Sequence, residues 1–256
     1  ICIAIHIPNN HHTTYDSNRR PFLAIPQEII RDDPKPVLIP ESLNPEHLLF
    51  KNQWKRGNRM TLTPSKEQKQ FIELAKTGAN ILVDACIGSG KTTAIQKLCM
   101  SLPETTKILY LTYNKLLKLD AQSKIHASNV TVQNYHGFAY TALSRAGISS
   151  GISDLIKTAV DAEPYIPTYD VIIIDEYQDI EQESSEFLKY IKSKNESMQV
   201  IAVGDMEQKI YDKTTLDVVP FIHEFLGEYT QLEFTQCFRL SSKHAESLGR
   251  IWGKQI

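Results

Sequence analysis

Ile81-Leu82-Val83-Asp84-Ala85-Cys86-Ile87-Gly88-Ser89-Gly90-Lys91-Thr92-Thr93 is the stretch on which the reading of this chain turns. A short apolar run leads into a glycine-bearing turn and then into a sequence able to start a helix at Lys91. That order suits a phosphate cradle. Gly88 and Gly90 let backbone N–H groups approach a polyphosphate, with Ser89 between them, while Lys91 adds charge and Thr92 offers a hydroxyl to Mg2+. A helix beginning at Lys91, with Thr93 in its first turn, points the positive end of its dipole at the same place. Ala85 stands where such loops usually carry a glycine.

Length and composition set the frame. The 256 residues suffice for one large α/β domain plus an attached segment. With 41% hydrophobic and 23% charged residues the chain has an ordinary globular composition, and no apolar run approaches the ~18 residues needed to span a bilayer. No membrane role is expected. The net charge of −2 means that a nucleic-acid partner must be held by a local basic surface, not by the field of the whole protein. Cys2, Cys86, Cys99 and Cys237 are widely separated, which argues against a zinc site or a disulfide framework and fits a reducing, cytoplasmic setting, or a nuclear one in a eukaryote. The opening Ile1–Ile7 does not resemble a signal peptide, and the chain reads as a piece of something longer.

Residues 1–60 form an irregular, proline-rich segment of unassigned role. Seven of the twelve prolines fall between Pro8 and Pro45 and disfavour long helices. A short strand is expected there, with one helix after Asn44-Pro45. The basic stretch Lys51–Arg59, with Trp54, reads as a linker and carries no assigned site.

From residue 61 to 256 strand-like and helix-like pieces alternate, as a mostly parallel sheet with helices on both faces requires. Strands are expected at Ile81–Asp84, Lys107–Thr112, Val130–Gln133, Val171–Asp175, Val200–Gly204 and Gln231–Thr235. Helices are expected near Ser65–Thr77, Lys91–Ser101, Lys115–Ser123, Phe138–Arg145, Glu181–Lys192 and Ser241–Gly253. Runs such as Val171-Ile172-Ile173-Ile174 suit strands covered on both faces. Ligands of such sheets sit at the carboxyl ends of the strands, which places the turns at Lys91, Asp175 and Gly204 along one rim.

At that rim Asp175-Glu176-Tyr177-Gln178-Asp179 follows a buried strand. Asp175 is placed to hold Mg2+, and Glu176 to orient and deprotonate an attacking water. An acidic cap on the next helix is the plainer explanation of the two acids, and the glycine loop upstream argues against it. Asp-Glu-x-Gln-Asp, the A-x-x-G-x-G-K-T loop and Val203-Gly204-Asp205-Met206-Glu207-Gln208-Lys209-Ile210-Tyr211 together resemble motifs of UvrD/Rep-type superfamily 1 DNA helicases. The resemblance implies a RecA-like P-loop NTPase fold and gives Gln208 contact with the γ-phosphate. The family's aromatic and arginine after Tyr211 are replaced here by Asp212-Lys213-Thr214-Thr215.

Further correspondences follow from the same resemblance. Leu62–Gln68 is similar to the Q motif, which makes Gln68 the adenine reader; alternatively Ser65 and Gln68 form a capping box, unless Thr63 and Pro64 cap the helix instead. Thr235–Arg239 looks like the N-Y-R element, with Phe238 stacking on adenine and Arg239 reaching the γ-phosphate. Leu109–Lys115 resembles the T-F-x-N-K element one residue shortened, as in the F-box helicase subgroup, so Tyr113, Asn114 and Lys115 are candidate DNA contacts. Gln133–Phe138 resembles T-F-H-S/G-F, with His136 as a backbone contact, although Tyr135 and Phe138 are equally well read as core aromatics.

These residues lead us to expect the ATP-binding first motor lobe of an ATP-dependent DNA helicase, using ATP and Mg2+ and moving on single-stranded DNA. The accessory insertion is expected to be reduced or missing. A second RecA-like lobe is expected beyond Ile256, and repair or defence proteins as further partners. An ATP-gated DNA-binding switch or scaffold is the alternative. A small-molecule kinase fits the acidic and glutamine motifs poorly.

Overall fold

The computed structural model describes residues 63–209 and 216–253, together with short strands at 14–15 and 21–22. The chain divides into two units, Ile1–Thr61 and Leu62–Ile256. In the first, β1 (Thr14–Tyr15) pairs antiparallel with β2 (Pro21–Phe22). Ile1–Ile7, the residues after Asn44-Pro45 where a helix is expected and the basic stretch Lys51–Arg59 lie outside the described residues, as do Ile210–Thr215.

The second unit is built on six strands: β3 (Ile81–Ala85), β4 (Ile108–Thr112), β5 (Val130–Asn134), β6 (Val171–Asp175), β7 (Gln199–Gly204) and β8 (Thr230–Phe234). Their spatial order is β5-β4-β6-β7-β3-β8, and every neighbouring pair is parallel. Eight helices accompany them among the described residues: α1 (Lys66–Ala75), α2 (Lys91–Ser101), α3 (Lys115–Lys124), α4 (Tyr135–Arg145), α5 (Leu155–Ala162), α6 (Gln182–Ser193), α7 (Val218–Leu226) and α8 (Ser242–Trp252). This is the parallel α/β sheet of a RecA-like domain that the sequence led us to expect.

Alternation along the strands explains the two faces. In β6, Ile172 and Ile174 pack into a cluster with residues of α4, α5, α6 and α7, among them Phe138, Ile156, Phe187 and Phe221. Val171 and Ile173 point the other way, into a cluster with Phe71 and Ile72 of α1, Ile95 and Leu98 of α2 and Ala121 of α3. Successive side chains of a strand face opposite sides, so a strand covered twice must be apolar at every position, as β6 is until Asp175.

Helices α5 and α7 lie outside the expected set. Helix α5 buries Leu155, Ile156 and Ala159, a spacing readable in the sequence but masked by the glycine- and serine-rich residues before it. Helix α7 holds Pro220 in its first turn, where the missing N–H costs no intrahelical bond, and buries Val218, Phe221, Ile222 and Phe225. Helix α4 starts earlier than expected, at Tyr135, because Asn134 Oδ1 accepts from the Gly137 N–H.

Parallel register brings the carboxyl ends together: Asp84 is level with Gly204, and Asp175 with Val203. Gly204 is fixed by space. A Cβ there would meet Gln178 Oε1 and stand 2.6 Å from Tyr177 Cδ1, so Gly204→Ala is expected to destabilise the domain by about 1–3 kcal/mol through overpacking. Urea unfolding of the variant checks this, and an unchanged midpoint would count against so tight a packing.

Candidate functional site

At the end of β3 the chain leaves the sheet at Ala85, turns through Gly88 and Gly90, and enters α2 at Lys91. Both glycines have positive φ, +72° and +79°, a region that residues with a Cβ rarely adopt. Ser89 is 1% exposed and its Oγ is buried without a hydrogen-bond partner. Lys91 is largely buried and its Nζ lies 3.6 Å from Glu176 Oε2. Thr92 and Thr93 follow, half-buried, in the first turn of α2.

Asp175 closes β6. Its Oδ2 accepts a 2.6 Å hydrogen bond from the Tyr110 hydroxyl on β4, while Oδ1 is buried without a partner. Burial, together with the adjacent Glu176 carboxylate, pushes Asp175 up to about 7, against the opposing pull of the Tyr110 hydrogen bond and of Lys91. Tyr110, wholly buried beside that carboxylate, is raised well above its ordinary value, chiefly by burial. Glu176 turns the chain in the left-handed region, φ +55°, a conformation that costs a non-glycine residue about 1–3 kcal/mol and collects at functional sites.

Gln178, 2% exposed, connects these acids to the next strand. Its Nε2 donates to Glu176 Oε2 at 2.8 Å, and its Oε1 accepts the Asp205 N–H at 3.0 Å. Asp205 Oδ2 in turn accepts from Gln208 Nε2 at 2.6 Å. A polar chain therefore runs Lys91, Glu176, Gln178, Asp205, Gln208 across the ends of β3, β6 and β7. The sequence had drawn attention to the outer members of this chain and to Glu176. The Gln178 linkage was missed, as was Tyr110, which reads as one more apolar strand residue.

Gln68 sits on the other side of the glycine turn. Ser65 caps α1, not Thr63: Ser65 Oγ accepts from the Gln68 N–H and Gln68 Oε1 accepts from the Ser65 N–H. The capping box leaves Gln68 Nε2 to donate to the Ser89 carbonyl at 2.9 Å, so the side chain is engaged at both ends. Beyond β8, the Phe238 N–H donates to the Gly88 carbonyl at 2.9 Å. Its ring is 56% exposed, and Cδ2 lies 3.8 Å from where a Cβ on Gly90 would be. A Cβ on Gly88 would come within 2.6 Å of Arg239 Cβ. Gln68, Phe238 and Arg239 thus touch the glycine turn that leads into Lys91, with Asp175 and Glu176 beside Lys91 and Gln208 reached through Gln178 and Asp205.

A second cluster lies at the carboxyl ends of β4 and β5. Tyr113, Asn114, Lys115, Asn134, Tyr135, His136, Glu181 and Ser184 line an open cleft of about 270 Å3. Lys115 and His136 are exposed. Asn114 caps α3 through Oδ1, which accepts the N–H groups of Leu116 and Leu117, so its oxygen serves the fold. Tyr135 and Phe138 are core aromatics, 3% and 4% exposed, although the Tyr135 hydroxyl is buried without a partner. Tyr113 donates to Glu181 Oε1 at 3.2 Å, an acidic neighbour 68 residues further along that no local pattern predicts.

The residues around the turn fit a Mg2+–nucleotide. The cradle requires glycine, Asp175 Oδ1 and Ser89 Oγ are buried without partners, and Lys91 supplies charge. Among the described residues no group of three or more His, Cys, Asp or Glu is arranged to hold a metal by itself. A nucleotide's own phosphates would therefore complete any such ion's shell. No described helix is long and apolar enough to cross a membrane.

Residues 68–214, more than half of the chain, match the model of the AAA domain family. No curated protein matches the chain. Similar solved structures include the Pif1 helicase from Candida albicans, at 15% identity over 74% of this chain and 48% of that one, TM-score 0.48. The Pif1 helicase from Bacteroides in complex with ADP-AlF3 and ssDNA is 15% identical over 76% and 47%, TM-score 0.49. The Hef helicase domain from Pyrococcus furiosus is 16% identical over 68% and 38%, TM-score 0.47. The chain spans about half the length of the Pif1 structures it matches.

The burial of Asp175 has a measurable consequence. Its folded carboxyl holds a proton to about 7, whereas an unfolded aspartate releases it near pH ~3.9. The stability this contributes is complete below that lower value and is lost as pH rises through about 7. In ligand-free protein, Asp175→Asn is expected to be the more stable form above pH 7, by on the order of 1–3 kcal/mol, with the gap closing towards pH 4. Thermal unfolding of both proteins across that range tests it; parallel curves would show that Asp175 titrates normally.

Proposed function

The chain belongs to the AAA domain family, and from that premise we propose that it is the ATP-binding motor lobe of a UvrD-like superfamily 1 DNA helicase, coupling ATP hydrolysis to movement on single-stranded DNA. The observation that carries the reading is the approach of Lys91 Nζ to Glu176 Oε2, 3.6 Å, beside the half-satisfied Asp175 carboxylate and over a glycine cradle. That combination suits in-line attack of water on a terminal phosphate, where positioning and charge do most of the work.

In this reading Gly88, Ser89 and Gly90 present backbone N–H groups to the phosphates and Lys91 leaves Glu176 to neutralise them. Glu176 accepts the proton of the attacking water. Thr92 and Asp175 would hold Mg2+, whose contribution is to neutralise charge on the phosphate oxygens. Gln208 and Arg239 face the terminal phosphate; a guanidinium there can stabilise the charge of the transferring group. Gln68 and Phe238 take the base, Thr93 supports the start of α2, and Gln178 keeps Glu176 and the Asp205–Gln208 turn in register.

The cleft at β4 and β5 supports the nucleic-acid half of the proposal. The Tyr113 ring offers a stacking surface, and Lys115, His136 and the Asn114 amide offer donors to a backbone. In the full reading residues 61–256 act with a second RecA-like lobe of the same protein and with repair or defence partners, and residues 1–60 have a separate role.

Steady-state ATPase of the full-length protein, with and without single-stranded DNA, tests this. Wild type is expected to be stimulated at least tenfold. Lys91→Ala should weaken nucleotide binding by about tenfold or more, in line with the loss of a charge-assisted contact worth roughly 1.5–3 kcal/mol. Glu176→Gln should bind nucleotide normally and turn over at least 100-fold more slowly, the scale of a lost general base. A wild type hydrolysing ATP at one rate regardless of DNA would remove the motor reading.

A further inference from the structure

Glu67, next to Gln68 on α1, accepts three hydrogen bonds from the short stretch that follows β8. The Thr235 N–H donates to Oε2 at 3.1 Å, the Thr235 hydroxyl to Oε1 at 2.6 Å and the Gln236 N–H to Oε2 at 3.4 Å. Two residues further on, the Phe238 N–H reaches the Gly88 carbonyl and Arg239 Cβ crowds the same glycine. The stretch from Thr235 to Arg239 is therefore tied at one end to a carboxylate of α1 and at the other to the glycine turn. Gln68, the adjacent residue, fixes the opposite wall of that turn through the Ser89 carbonyl.

We propose that Glu67 is a positioning residue that holds the Phe238–Arg239 segment over the glycine turn before nucleotide arrives, an inference that rests on the nucleotide reading above. The donors on Thr235 and Gln236 include two main-chain N–H groups in a connection that leaves β8, beyond which no further strand lies among the described residues to supply acceptors. A carboxylate can serve all three donors, whereas an amide at the same position has only one acceptor oxygen. Without Glu67 the segment is released from α1, and a ligand stacking on the exposed Phe238 ring must order it on arrival. Preorganisation of this kind is felt as affinity. The larger effect belongs to the base, because Lys91 is held by Glu176 and the Ser89 carbonyl by Gln68, neither through the Thr235 turn, and the phosphates feel the segment only through the Gly88 carbonyl.

Calorimetric titration of the intact protein with ADP and with inorganic pyrophosphate separates these terms, with thermal unfolding recorded in parallel. Glu67→Ala is expected to weaken ADP about tenfold while leaving pyrophosphate within about twofold of wild type. Adding Glu67→Ala to Phe238→Ala should cause no further loss of ADP, since the ring it positions is gone. Glu67→Gln, which keeps one acceptor oxygen, should show the same split at about threefold and serves if the alanine variant does not fold. Wild-type ADP affinity in both Glu67 variants, equal losses for the two ligands, or an additive double variant would each overturn the inference alone. A wild type binding neither ligand would overturn the nucleotide reading, and the inference with it.

Discussion

A carboxylate at the end of a strand buried on both faces is the constraint from which the rest of this domain can be understood. Asp175 closes a run of apolar residues that two layers of helices shield from water, so its charge must be met locally or suppressed. One oxygen is met by the Tyr110 hydroxyl and the other is left bare. A fold that needed Asp175 only for its own stability would gain by satisfying both. The unmet oxygen, the strained backbone of Glu176 and the unmet Ser89 hydroxyl lie at the same rim, where the parallel sheet brings β3 and β6 to within one strand of each other.

Strand β7 fills that gap, and its residues connect the two sides. Gly204 has no side chain, so Gln178 can cross beneath it, touching Glu176 with one end and the Asp205 backbone with the other. Networks of this type rigidify only when each member is satisfied. Here the inner members are, and the residues facing the glycine turn keep open capacity. The polar chain across the strand ends is paired link by link, while Asp175 Oδ1 and Ser89 Oγ beside it are not.

Much of the framework was legible because each strand is short, apolar and bounded by a turn, and the glycine loop fixes the direction of the chain. Strands β3 to β8 fall within a residue of those expected, and α2 runs from Lys91 to Ser101 as read. Helices α5 and α7 escaped because local breakers, the glycine and serine residues before Leu155 and Pro220 in α7, outweighed a real apolar spacing. The resemblance in motifs implied one shared site; Gln68, Phe238 and Arg239 touch the glycine turn, and Lys91, Glu176 and Gln208 belong to the polar chain beside Asp175. What no local pattern could give were partners distant along the chain. Tyr110 reads as core until Asp175 is seen beside it, Glu67 as a surface acid until Thr235 arrives, and Glu181 as a helix start until Tyr113 leans on it.

The hydroxyl of Tyr110 also joins two parts of the sheet edge that the chain order keeps apart. Tyr110 lies on β4, the strand that leads straight into Tyr113 and the open cleft, yet its side chain ends on the acid of β6. The 2.6 Å contact between the Tyr110 hydroxyl and Asp175 Oδ2 therefore ties the strand that feeds the open cleft to the carboxylate at the heart of the rim. The strand that feeds one recess thus supplies the hydrogen-bond partner of the acid in the other.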